Sequence, residues 1–177
     1  GGNAKTNKIS TQEIDQILLE FTEAQLSTVK LEARNDKAHE HLYIHLPDRT
    51  LVFDAAATQD LGRPVWFTLT SSLVDFSKYR AQNLVYCYDK WLVGDPTNTS
   101  VGYMVSNIST HYGQKVRWEF GTTIVYNEGR GAIIQNLELV GLTGAAAYGI
   151  DPTINTSYST DGETWSQQKF IKAGKTG

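Results

Sequence analysis

From about residue 26 the chain is written in period two, and that alternation limits its fold more than any other feature. "LSTVKLEAR", "HLYIHL", "TLVFDA", "VWFTLT", "NLVYCYD", "KWLVGD", "VRWEFGTTIVY", "AIIQNLELVGL", "TSYSTD" and "QQKFI" are short runs rich in β-branched and aromatic residues, separated by Gly, Pro, Asn or Asp. Such runs predict a mainly β chain. Pro47-Asp48 in "LPDRT" predicts a hairpin turn, and Asp161-Gly162 has the chemistry of a tight primed turn, so antiparallel pairing is the default. The long turn "GDPTNTSVG", residues 94–102, is the expected seam between hairpin units and a more sandwich-like run after about residue 106.

One helix precedes the strands. In "ISTQEIDQILLEF", Ser10 and Glu13 have capping-box spacing, and Ile9 and Ile14 stand where a hydrophobic staple would close. Ile14, Ile17, Leu18 and Phe21 then fall at i, i+3, i+4 and i+7. An amphipathic helix over about 11–21, packed on a sheet, is expected.

Composition excludes several classes. Of 177 residues, 40% are hydrophobic and 20% charged, an ordinary globular balance, and the net charge of −3 gives no basic surplus for gripping phosphate backbones. Cys87 is the single cysteine, which removes disulfide frameworks within one chain. No apolar run is long enough to span a bilayer. The chain opens Gly1-Gly2 without methionine, so residues 1–8 read as a tag or flexible lead and the whole as a cut piece of a larger protein. Asn98, Asn107 and Asn155 fit the glycosylation tripeptide, a pattern short enough to arise by chance.

Chemistry-bearing motifs are sparse. His41, Tyr43 and His45 alternate on one strand face and His39 continues the row, while Leu42, Ile44 and Leu46 share the other. A His-x-His pair can begin a zinc site, but no carboxylate or thiol stands at a telling spacing and His111 is remote, so no metal is expected. "AGKTG" at 173–177 lacks the first glycine of a phosphate loop, and "GRG" at 129–131 lacks the third glycine of a dinucleotide fingerprint and reads as a hairpin tip. Asp54, Asp60, Asp75, Asp89 and Asp95 all adjoin turn residues and read as turn or edge aspartates, not paired catalytic carboxylates. Neither an enzyme centre nor a cofactor is expected. "SYSTDGETW", with Ser159, Asp161, Gly162, Thr164 and Trp165, is similar to the aspartate-box hairpin of sialidase-type propellers, a folding motif that would pack Trp165 beneath a turn. That hairpin and Trp66, Trp91, Trp118 and Trp165 motivate an alternative reading, a carbohydrate-binding or sialidase-like β module. A zinc-dependent hydrolase is a third.

The order of several motifs carries a stronger resemblance. "HLYIHLPDRTLVFDAAATQ" (41–59), then Gly62, Pro64 and Trp66, "VGD" with Gly94 and Asp95, "VG" at 101–102, and "YSTDGETW" together resemble the tail accessory factor of short-tailed phages, also called the packaged-DNA stabilisation protein. The matching residues include Ile44, His45, Leu46 and Pro47, then Val52, Phe53, Asp54 and Ala55, and the resemblance covers roughly residues 9–170. Members are much longer than this chain. The resemblance implies antiparallel hairpins of a partial β-propeller with one short N-terminal helix (9–105), followed by a truncated β-sandwich-like domain (106–177).

It also implies a virion structural role. Members form a homo-oligomeric ring below the portal, extend the tail tube and help retain packaged DNA. Implied partners are a tail-adaptor protein, the tail needle and tailspikes, with DNA only as channel contents and no membrane. The protein would be made in the host cytoplasm and reside in the virion tail. A mildly acidic chain suits a channel wall that must not hold DNA. In this setting His41 and Tyr43 are the expected interface residues, facing solvent or a neighbouring subunit together with His45, while Leu42, Ile44 and Leu46 enter the core.

Overall fold

The computed structural model describes residues 7–122, 124–140 and 152–173. Two compact units divide after Gly121. In the first, helix α1 (Gln12–Leu19) is capped by Thr11, whose Oγ1 accepts the Ile14 amide at 3.4 Å. The expected cap at Ser10 thus moves by one residue, and the helix stops two residues short of Phe21. Thr22 then starts a further turn, α2 (Glu23–Leu26), closed by a true capping box with Gln25.

Four strands follow in sequence order as one antiparallel sheet: β1 (Lys30–Asp36), β2 (His39–His45), β3 (Thr50–Asp54) and β4 (Val65–Leu69). Pro47-Asp48 makes the β2–β3 turn, with the Leu46 amide donating to the Arg49 carbonyl at 2.9 Å. Between β3 and β4 stands a helix that the alternation does not announce, α3 (Ala55–Leu61). Its own signals are local: Asp54 caps it through the Ala57 amide at 2.9 Å, and Gly62 ends it at a left-handed φ of 64°. A second sheet, β5 (Gln82–Cys87), β6 (Lys90–Gly94) and β7 (Val101–Tyr103), is again up-and-down, the kind of sheet from which radial β architectures are built. β8 (Thr110–His111) and β9 (Gln114–Lys115) form a small hairpin. Across the turn at 94–102 Gly94 pairs with Val101, and the ladder continues from β6 to β7.

The four-stranded sheet is a middle layer. On one face Leu46 and Leu51 pack with Ile14 of α1, and Ile17, Leu18, Phe21, Ile44 and Trp66 close around them. Each such fully buried aliphatic side chain contributes about 1.5–3 kcal/mol. On the other face Tyr43 and Val52 pack with Tyr79, Ala81 and Val93, which belong to the segment before β5 and to the second sheet. The expectation that Tyr43 and His45 face outward is corrected by this layer: they are 2% and 1% exposed. Leu46 does enter the core, whereas Leu42 and Ile44 are only half-buried.

In the second unit β10 (Thr153–Thr156) pairs with β11 (Lys169–Lys172), and Ser159 bridges Trp165. The strands expected over 116–126 and 132–142 are not formed among the described residues, and 123 and 141–142 lie outside them. Ile124, Ile133 and Val140 stand 93%, 91% and 88% exposed. An alternating segment becomes a strand only when another strand takes up its amides and carbonyls, and among the described residues these segments have no such neighbour. The turn at their tip nevertheless forms: Glu128 and Gly129 both have positive φ, and the Arg130 amide donates to the Asn127 carbonyl at 2.7 Å.

Candidate functional site

The exposed-face reading of β2 gives way to two different polar clusters at its two ends. At the Pro47 end, His45 is enclosed. Its Nδ1 lies 3.1 Å from Thr50 Oγ1 and its Nε2 3.0 Å from Glu32 Oε2. Burial pushes the imidazole below its ordinary range, against the opposing pull of Glu32, so a neutral ring is favoured. A neutral ring with Nε2–H donating to Glu32 and Nδ1 accepting from the Thr50 hydroxyl satisfies both contacts. Thr50 Oγ1 in turn accepts the Tyr79 amide at 3.3 Å, and Glu32 accepts the amides of Asn83 and Leu84 at 3.2 and 3.1 Å. The cluster therefore joins the two sheets. Aromatic rings extend it: His45 stacks on Tyr43 and Tyr43 on Tyr79, whose ring meets His111 edge-on.

At the other end, cross-strand register sets His41 opposite Asp54, and the β1–β2 turn brings His39 alongside. Asp54 Oδ2 lies 2.7 Å from His39 Nδ1 and 3.4 Å from His41 Nε2, while Oδ1 caps α3. Burial would raise the Asp54 carboxyl, but the Ala57 amide and the His39 imidazole outweigh it and hold it below the usual range. The imidazoles of His39 and His41 stack at 5.8 Å, and Phe67 and Tyr43 meet the His41 ring edge-on. His39, half exposed, opens this end to solvent.

The remaining sequence-selected residues hold turns and cores. Phe53 and Trp66 pack with ring centroids 5.1 Å apart, and Trp66 Nε1–H donates to the Ile9 carbonyl. Ile44, Leu46 and Pro47 serve the helix face and the hairpin turn. Asp95 is buried. Its carboxylate takes the Arg80 guanidinium, the Thr97 amide and hydroxyl, and Asn98 Nδ2, and Arg80 chiefly holds it at about 2. Gly94 beside it has no room for a side chain without displacement, since a Cβ would come within 3.2 Å of Asn83 Nδ2. Asp161 Oδ1 accepts the amides of Glu163 and Thr164 at 2.9 and 2.7 Å, which holds its carboxyl below the usual range. Gly162 alone takes a left-handed φ, 82°, so the turn is a five-residue loop closed by a side chain and not the expected two-residue primed turn. Trp165 is 59% exposed and not packed beneath it.

Sequence reading missed Glu32, Arg80 and Tyr79, and missed Asp54 as the carboxylate of the His-x-His pair. Glu32 and Tyr79 are distant in sequence and carry no spacing signal. Asp54 could have been found by folding the chain at Pro47-Asp48 and counting back, which pairs 45 with 50 and 41 with 54.

Comparison with known proteins places these sheets. Residues 1–109 match the family described as the bacteriophage P22 Gp10 β-propeller, and residues 117–177 match the β-sandwich of the same protein. Across 171 residues, 97% of the chain, the sequence is 28% identical to the tail hub protein gp10 of Salmonella phage P22. The chain spans 35% of that relative's length. No helix among the described residues is long and apolar enough to cross a membrane. With both matches in chain order and the propeller match covering most of the sequence, the chain belongs to the bacteriophage P22 Gp10 family.

Proposed function

We propose that the chain is a structural part of a phage tail hub, extending the tail tube below the portal and helping retain packaged DNA. The observation that carries this reading is the ordered match of both parts of the chain to one tail hub protein. The packing agrees with it. Among the described residues, the sequence-selected carboxylates Asp54, Asp95 and Asp161 each close a turn or cap a helix with at least one oxygen, as structural carboxylates do. The work is shape and contact, not catalysis.

In this reading the protein forms a homo-oligomeric ring that meets a tail-adaptor protein, the tail needle and tailspikes. Tyr43 is closed within the chain's own core and leaves the interface role. His41, on the interior strand β2 and only partly exposed, stays as a candidate contact. The outer face of the second sheet adds Val85, Val101 and Tyr103, exposed apolar side chains of the kind that a neighbouring subunit covers. The test is the mass and shape of the full-length protein with and without a portal–adaptor complex, by light scattering and negative-stain imaging. A ring joined to that complex is expected; a persistent monomer that ignores it would overturn the reading.

A further inference from the structure

We propose that His39, His41 and Asp54 form a zinc-binding site with one coordination position left open to an external ligand. This goes beyond the structural role and does not depend on it.

One ligand atom from each of the three residues lies within 4.8 Å of the other two. Two imidazoles and one carboxylate are a donor set suited to zinc, and three protein ligands leave the fourth tetrahedral position free. With bonds of about 2.0–2.1 Å, neighbouring donors in such a site stand ~3.3 Å apart. The His41–Asp54 separation, 3.4 Å, already meets that spacing. His39 stands 2.7 Å from Asp54, so it must withdraw by roughly 0.6 Å. Its side chain is 50% exposed and adjoins the turn, so it has room to do so.

The supporting groups point the same way. Asp54 spends Oδ1 on the Ala57 amide, which fixes the carboxylate and aims Oδ2 at the two imidazoles. Phe67 and Tyr43 hold the His41 ring by edge contacts. A preset carboxylate and one preset imidazole lower the ordering cost of binding, and the half-exposed third ligand has room to adjust to the ion. Hard cations such as magnesium, which favour oxygen donors, fit this set poorly.

The test uses the full chain made without a histidine tag, stripped with a chelator, titrated with zinc by calorimetry and weighed by native mass spectrometry. One zinc per chain is expected, with magnesium giving none. His41→Gln and Asp54→Asn should each weaken zinc binding by more than about 100-fold, beyond the loss typical of an outer supporting group. Asparagine can still cap α3, so Asp54→Asn keeps the fold readable. His39→Gln alters a half-exposed side chain and provides a second readable variant. His111→Gln should leave the affinity unchanged. Absence of zinc uptake, or uptake that survives His39→Gln and His41→Gln, would overturn the assignment.

Discussion

His45 and the His39–His41 pair belong to one strand and one alternating row, and each meets a carboxylate, yet their surroundings differ in how far they are enclosed. His45 has Glu32, Thr50 and the second sheet over it, and it is kept neutral and enclosed. At the other end His39 and His41 have Asp54 beside them, and His39 is half exposed to solvent while His41 and Asp54 are largely covered. The same residue type therefore serves as a polar tie in the core at one end and as an accessible ligand set at the other. What decides is not the strand but what lies over its face.

The strongest way to break this contrast is to truncate both ends. His45→Ala should lower stability by about 3 kcal/mol, since it leaves a cavity and removes the imidazole hydrogen bonds to Glu32 and Thr50 inside the molecule. Chemical denaturation would measure it, and a loss below about 1 kcal/mol would place His45 outside the core. Acid should erode part of the same stabilisation. Burial sets the folded imidazole below its ordinary value of 6.5, while Glu32 opposes this and Lys78 and Lys30 assist. The unfolded chain thus binds the proton more readily, so the contribution is complete above pH 6.5 and is lost as pH falls below it. His111, lowered by burial and Arg80, adds a slope of the same sign. Denaturation midpoints between pH 7 and 5 should fall in the native chain and fall less in His45→Gln.

Smaller effects are expected at the open end. Lys37 and Ala38 both adopt positive φ, 48° and 71°, in the turn that carries His39. Ala38→Gly should relieve this strain and raise stability by about 1 kcal/mol, readable as a higher melting temperature. His39→Ala, in metal-free protein, should cost less than about 0.5 kcal/mol because its pair with Asp54 is half exposed.

The alternation made the sheets legible, and Pro47-Asp48 made the central hairpin legible, because both signals are local. It could state which side chains of β2 share a face but not which face is covered, and here both are. Tyr43 and His45 were misplaced for that reason. Asp54 as a ligand depends on cross-strand register, and Glu32 on a sheet contact some fifty residues distant, at Asn83 and Leu84. Over 116–122 and 124–140 the strand pattern is strong and residues 117–177 match a β-sandwich, but among the described residues no strand stands beside this stretch to complete a ladder.

A sheet covered on both faces loses the usual means of choosing its alignment. Sliding β2 by one residue along β3 would exchange one apolar set for another, so hydrophobic burial alone discriminates poorly between alignments. Hydrogen bonding discriminates well, because the native alignment sets His45 against Thr50 and within reach of Glu32. The enclosed polar cluster thus works as a key that admits a single alignment, at some cost in raw stability. Replacing it with His45→Leu and Glu32→Met should leave a folded chain whose β2 amides exchange faster than those of β3; unchanged exchange would show that the turn alone sets the alignment.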